Sequence, residues 1–255
     1  MAGALFTDVG VALVTLFDAA GDLDAKATAG HAATLVDLGV RAVVVAGSTG
    51  EAATLSEAER TALLDEVRRA VPSGIPVLAG TGAPSRRQAA ALTRAAVDHG
   101  ADGILALSPP GSRDLAGYYE AVASAAAGVP VLAYHFPRTS PPGIPVELLP
   151  ELPVRGLKDS SGDPERLLAE RTTYQGPVYV GSSALLALAG PLGCQGAILA
   201  LANVAPERCS AAFAGDADAQ LALGAAHMAT ERDFPRNLKA LMADRFGTSP
   251  VARLG

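Results

Sequence analysis

Lysine is nearly missing from this chain. The 255 residues carry 20 basic side chains, and only Lys26, Lys158 and Lys239 among them are not arginine. Generic positive charge is supplied by guanidinium groups, so each lysine asks for a reason of its own. Cysteine is equally scarce. Cys194 and Cys209 stand alone, with no CxxC pair and no His-rich cluster. Two buried thiols in a reducing cytoplasm account for them better than a disulfide does. Long apolar runs are absent too: Gly, Pro or a charge interrupts each well short of a membrane-spanning length. There is no excess of positive charge. A net charge of -6 and a pI near 5.2 argue against non-specific binding to nucleic acid or anionic lipid. The opening "MAGALFTDVGVALVTLF" has no basic n-region and contains Asp8, so it reads as a first strand and not as a signal peptide.

What is present suits one large α/β domain: 49% hydrophobic residues, 18% charged, 27 glycines and 18 prolines. Short runs rich in Val, Ile and Leu occur at 11–17, 41–47, 75–82, 102–108, 129–136, 154–158, 177–181 and 196–201. They are nearly continuous in apolar residues and too short for typical helices, as buried parallel strands are. Helical patterns lie between them, at 55–71, 84–100 and 115–128. Ser56 with Glu59 makes an S-x-x-E capping box, and Asp163-Pro164 places a carboxylate at an N-cap and proline at N1. Gly39 and Gly100 follow helical runs, where a left-handed residue is needed. Eight strands alternating with helices predict a (β/α)₈ TIM barrel. The strands occupy residues 1–204, and 205–255 supply the last barrel helix and a short C-terminal helical extension packed on the barrel, within a single domain. A doubly wound open sheet is the alternative, but no G-x-G-x-x-G opens the first βα unit.

In such a barrel the chemistry gathers at the C-terminal strand ends. Lys158, in "VRGLKDSSGD", ends the sixth run. A lysine paired with Asp159 or solvated is the plain reading. A primary amine, however, can lose its proton and attack a carbonyl, which a guanidinium cannot do, and an apolar wall favours the neutral amine. Lys26 and Lys239 fall within polar helical patterns and ask for no such explanation. Tyr134 ends the fifth run, next door. It is either a core aromatic or the acid/base that carbinolamine formation and C–C cleavage require. His135 alternates with it and is expected to be structural. The turn "GSTGE" (47–51) follows the second run and offers backbone N–H groups with the Ser48 and Thr49 hydroxyls. Gly50 there permits close approach of a small carboxylate. Alone, this signal is weak. Glu51 is a candidate carboxylate whose simpler role is to stabilise the turn or the following helix.

With these residues in view, the chain resembles the dihydrodipicolinate synthase/N-acetylneuraminate lyase family of pyruvate-handling barrel enzymes. "GSTGEAATLSEAER" is similar to the family's G-[ST]-T-G-E signature, "YHFP" to its Tyr-x-x-Pro motif and "GLKDSSGD" to its lysine strand. "HGADGIL" and "GAILALANVAPE" extend the likeness over nearly the whole chain. The resemblance implies that Lys158 forms a Schiff base with a 2-oxo acid and that Tyr134 shuttles the proton. It implies that Ser48 and Thr49 bind the carboxylate, with one of them bonding the Tyr134 hydroxyl, and that Gly181 and Ile198 line the pyruvate pocket. No metal or organic cofactor is implied, and a homo-oligomer, dimer or tetramer, is usual. Two departures stand out. Where the synthase branch has paired tyrosines after strand four, this chain reads "SPPGSRD" with Pro110 and Gly111. Its arginine five residues after the motif tyrosine is Thr139 here, with Arg138 one earlier as the candidate substrate contact.

The expected activity is that of a cytoplasmic class I aldolase forming or cleaving a C–C bond with pyruvate and an aldehyde, on a 2-keto-3-deoxy sugar acid or a 4-hydroxy-2-oxoglutarate type of substrate. Dihydrodipicolinate synthesis is the alternative within the same chemistry. A non-catalytic keto-acid-binding barrel is the alternative outside it. No nucleic acid and no membrane are expected as partners.

Overall fold

The computed structural model describes residues 3–254. Its eight strands are β1 (Asp8–Ala12), β2 (Val43–Val45), β3 (Val77–Gly80), β4 (Gly103–Leu107), β5 (Val131–His135), β6 (Gly156–Asp159), β7 (Val178–Val180) and β8 (Gly196–Leu199). They pair in chain order, all parallel, and β8 closes onto β1. Closure excludes the open doubly wound sheet. Among the described residues, no helix is long and apolar enough to cross a membrane.

Each strand serves two cores, which is why its sequence reads as continuously apolar. On β2, Val44 faces the barrel interior while Val43 and Val45 face the surrounding helices. The interior is filled by Ala12, Leu78, Leu105, Leu132 and Ile198 with Val44. At its base Phe6 stacks on Tyr179 with ring centroids 4.6 Å apart. The Tyr179 hydroxyl accepts from the Leu5 amide at 3.1 Å and donates to the Phe6 carbonyl at 3.1 Å. The bottom is therefore plugged, and any ligand must enter from the C-terminal strand ends.

The first helices are α1 (Ala25–Asp37), α2 (Glu57–Ala70), α3 (Arg86–Asp98), α4 (Leu115–Ala125) and α5 (Pro164–Thr173). Then come the short α6 (Leu186–Ala189), α7 (Pro206–Phe213), α8 (Ala217–Arg232) and α9 (Arg236–Phe246). Both halves of the Ser56–Glu59 capping box form at the start of α2. Asp163 caps α5, with Pro164 in its first turn. Gly39 and Gly100 adopt φ of 101° and 79°, past the ends of α1 and α3.

Three expectations need correction. The first strand covers 8–12, not 11–17. Beyond Leu13, whose amide makes the last ladder bond to the Val44 carbonyl, side chains take over: the Val14 amide donates to Asn203 Oδ1 at 3.1 Å and the Leu16 amide to Thr28 Oγ1 at 2.9 Å. The chain is not helical to its end, because Gly247, at φ 68°, terminates α9 and a non-helical tail follows. Lys239 is not a solvated helix lysine. It is fully buried and bonded to Glu51.

Candidate active site

Strand alternation decides what faces the cavity. On β5, Tyr134 points inward while His135 points outward, where its Nδ1 accepts from the Ile144 amide at 2.8 Å. On β6, Leu157 faces the outer core, Lys158 the cavity and Asp159 the α5 side. Tyr134 and Lys158 are register partners across the β5–β6 ladder. The Lys158 amine lies 4.3 Å from the centre of the Tyr134 ring. Both residues are buried, at 4% and 5% exposure for Lys158 and Tyr134. The amine opens on a cavity of 330 Å³.

Ser48, Thr49, Gly181, Ile198 and, at the mouth, Arg138 line that same cavity. Gly50 does not. Its carbonyl accepts from the Thr15 hydroxyl at 2.7 Å, and a Cβ there would sit 2.9 Å from the Leu13 carbonyl oxygen. Gly50 thus lets the turn pack against the end of β1. The turn closes on itself through Gly50 and Ala52 amides donating to the Gly47 carbonyl and the Glu51 amide to that of Ser48. Ala46 and Glu51, which flank it, take φ of 51° and 54°. Left-handed backbone at a side-chain-bearing residue costs roughly 1–2 kcal/mol, so the turn's shape must be held by its surroundings.

The bond implied between Thr49 or Ser48 and the Tyr134 hydroxyl is not formed among the described residues. β3 and β4 separate the two strands around the ring, and the cavity lies between the groups. Arg138 is paired with Glu231 of α8, and its guanidinium lies 5.4 Å from the Phe136 ring centre. Gly181 is needed for space: a Cβ would approach Ser160 Oγ to 1.8 Å.

Several cavity residues escape sequence reading. Ser160 and Ser182 stand just beyond Lys158 and Gly181, so the strand-end rule could have found them. His227, which shares a 2.9 Å hydrogen bond with Ser183, and Glu231 come from α8 across the mouth. Nothing in a helical pattern foretells where that helix lies.

Behind β6 sits a buried charged group. Arg166 Nε approaches Glu170 at 2.8 Å and Asp159 at 3.7 Å, without hydrogen-bond alignment to Glu170. Burial, reinforced by the Asp159 charge, pushes the Glu170 carboxyl up to about 8. Burial likewise raises Asp159, and it lowers His135 to about 4 with help from Arg166.

The sequence profile of the Dihydrodipicolinate synthetase family matches residues 5–246. The chain belongs to this family. A 4-hydroxy-tetrahydrodipicolinate synthase of Pseudomonas aeruginosa is 39% identical over 84% of this chain and 77% of its own length. One of Salinibacter ruber is 36% identical over 97% of this chain and 83% of its own. Among solved structures, a prophage protein of the dihydrodipicolinic acid synthase family from E. coli K12, in complex with pyruvate, superposes with a TM-score of 0.90. It is 28% identical and is matched over 98% of this chain and 92% of that one. A chloride-inhibited dihydrodipicolinate synthase from Acinetobacter baumannii, complexed with pyruvate, gives a TM-score of 0.85 at 27% identity, over 98% of this chain and 94% of that one. This member of the Dihydrodipicolinate synthetase family carries prolines and a glycine in the loop after β4, where Gly111 (φ 65°) donates its amide to the Pro141 carbonyl at 2.8 Å.

Proposed function

We propose that this protein is a class I lyase that joins pyruvate to an aldehyde, or releases it, through an imine on Lys158. One observation carries the reading: a buried lysine amine, without a carboxylate partner among the described residues, faces a closed-bottom cavity beside the only phenol lining it. The pyruvate complexes of the E. coli and A. baumannii relatives support the same 2-oxo acid here.

The steps follow from that pairing. The Lys158 amine attacks C2 of the 2-oxo acid, and the carbinolamine loses water to leave an iminium. In cleavage, the C4 hydroxyl gives up its proton, the C3–C4 bond breaks, and its electron pair flows into the iminium nitrogen as an enamine. The aldehyde departs, C3 takes up a proton, and water releases pyruvate. Tyr134 carries the protons, at a contribution typically of about 10²–10⁴ in rate. The Ser48 and Thr49 hydroxyls, with the amides not spent on closing the turn, hold the carboxylate. Gly181 and Ile198 shape the floor and wall against the pyruvate methyl, and Gly50 supports the turn from behind.

For the aldehyde, the cavity offers Ser160 and Ser182 hydroxyls, His227 and an Arg138 already matched by Glu231. That lining favours a hydroxylated, uncharged aldehyde, hence a 2-keto-3-deoxy sugar acid as the joined compound. A second reading, 4-hydroxy-tetrahydrodipicolinate synthase, is favoured by the activity named for the P. aeruginosa and S. ruber relatives. We place the protein in the cytoplasm as a homo-oligomer, a state that sedimentation would test.

The deciding experiment is borohydride reduction in the presence of pyruvate, followed by peptide mapping. A mass increment on the Lys158 peptide is expected; its absence removes the enzyme reading in favour of a non-catalytic binding barrel. A panel of hydroxyaldehydes run beside an amino aldehyde then separates the two activities.

A further inference from the structure

The second buried lysine points to a role for the C-terminal tail. Lys239, on α9, is fully buried and donates to Glu51 Oε1 at 2.5 Å and to the Val251 carbonyl at 2.7 Å. The other carboxylate oxygen of Glu51 accepts two backbone amides of the tail, Arg253 at 2.8 Å and Leu254 at 2.7 Å. Arg253 then reaches back over the same region, donating to the Gly21 and Thr54 carbonyls and to Glu59. Both cations lie over one ring, that of Phe17, at 4.5 Å for Lys239 and 4.4 Å for Arg253.

Glu51 closes the Ser48–Thr49 turn and is one of the two left-handed side-chain-bearing residues at its ends, Ala46 being the other. Its carboxylate, 1% exposed as a residue, is held by three donors, the Lys239 amine and the Arg253 and Leu254 amides. A strained turn needs an external anchor. Here the anchor is a buried ion pair whose other half lies 188 residues away.

We infer that Glu51 and Lys239 are positioning residues for pyruvate: through them, α9 and the tail set the place of the Ser48–Thr49 turn opposite Lys158. This rests on the Lys158 imine reading. Removing one partner of a buried pair strands the other charge, whereas removing both relieves it. Lys239→Met alone should pull the Glu51 carboxylate out of place and shift the turn. Lys239→Met with Glu51→Gln should restore it, since a glutamine oxygen still accepts the tail amides.

The test is borohydride trapping at Lys158 across a pyruvate titration, on the full-length chain, at a temperature where circular dichroism shows each variant folded. Lys239→Met should raise the half-saturating pyruvate concentration by roughly tenfold while the maximal trapping rate stays within about threefold, and the double variant should return most of that loss. Arg253→Ala, a milder change that leaves the ion pair intact, should shift half-saturation in the same direction by a smaller factor. If Lys239→Met does not fold, Arg253→Ala and the double variant decide. Folded variants with wild-type half-saturation overturn the inference while leaving the imine reading intact. Failure to trap the wild type overturns that reading and this one together. A fall in maximal rate at unchanged half-saturation also overturns it, because a displaced carboxylate turn weakens binding first.

Discussion

Two lysines are buried in this protein, and they are alike in almost everything except their company. Lys158 lies 4.3 Å from the Tyr134 ring centre and Lys239 lies 4.5 Å from that of Phe17. Lys239 is surrounded by acceptors, Glu51 and the Val251 carbonyl, that need its proton to remain where it is. Burial pulls its pKa down while Glu51 pulls it back. Lys158 faces a cavity, with a phenol for a neighbour and no carboxylate partner among the described residues. An unpaired amine that opens on a cavity is accessible to a ketone; one enclosed by a carboxylate and a carbonyl is a structural cation. Burial alone does not make a nucleophile.

The sharpest way to break this contrast is to take the nucleophile away and keep the charge. Lys158→Arg should abolish borohydride trapping and lower the initial rate of C–C bond formation or cleavage by on the order of 10⁴-fold or more, since a guanidinium forms no imine under these conditions. Residual trapping located on Lys239 would sink the contrast. Next in size is Tyr134→Phe. It should keep the half-saturating pyruvate concentration within a few-fold and slow turnover by about 10²–10⁴, read as initial rates beside trapping curves. Unchanged turnover would remove the phenol from the mechanism.

Smaller effects probe burial without chemistry. Glu170 has a folded-state pKa of about 8 against an ordinary 4.5. Its folded form holds the proton more tightly than the unfolded chain does. Stability from this group is therefore greatest below about pH 4.5 and falls as pH rises to about 8, by up to roughly 5 kcal/mol. Glu170→Gln should flatten that decline and raise Tm at pH 8 relative to wild type, as measured by thermal melts across pH. His135, held down at about 4, works in the opposite sense and costs stability as pH drops through 6.5 towards 4. The mildest change is Ser56→Ala, which removes the α2 capping box. It should cost about 1 kcal/mol in denaturant melts and leave pyruvate half-saturation unchanged.

Much of the site was open to sequence reasoning because strands encode direction. Once a residue is on a strand, its neighbours point the other way. Tyr134 and His135 could thus be assigned to opposite faces, and in the folded barrel the same alternation keeps Lys158 and Asp159 apart. The turn after β2 announced itself through glycines and hydroxyls at a strand end. Its inner workings did not. Gly50 looked like a ligand contact, and its function is to clear the Leu13 carbonyl. Glu51 looked like support for its own turn and helix, and it also binds the far end of the chain. Lys239 sits in a polar helical pattern whose sequence gives no sign of burial, since the partner that permits it lies 188 positions earlier.

By itself, the sequence determined the alternating pattern that closes into a barrel, the strand ends where chemistry collects, and the one amine aimed inward. These are local properties, set by periodicity, capping and the two faces of a strand. Only the tertiary structure decided which charges are shared. It brought α8 over the mouth so that Glu231 meets Arg138, and it brought α9 and the tail against the turn so that Lys239 and the tail amides meet Glu51. The reason is physical: the cost of burying a charge is determined by what stands within a few ångströms of it, and those neighbours are chosen by packing between distant segments.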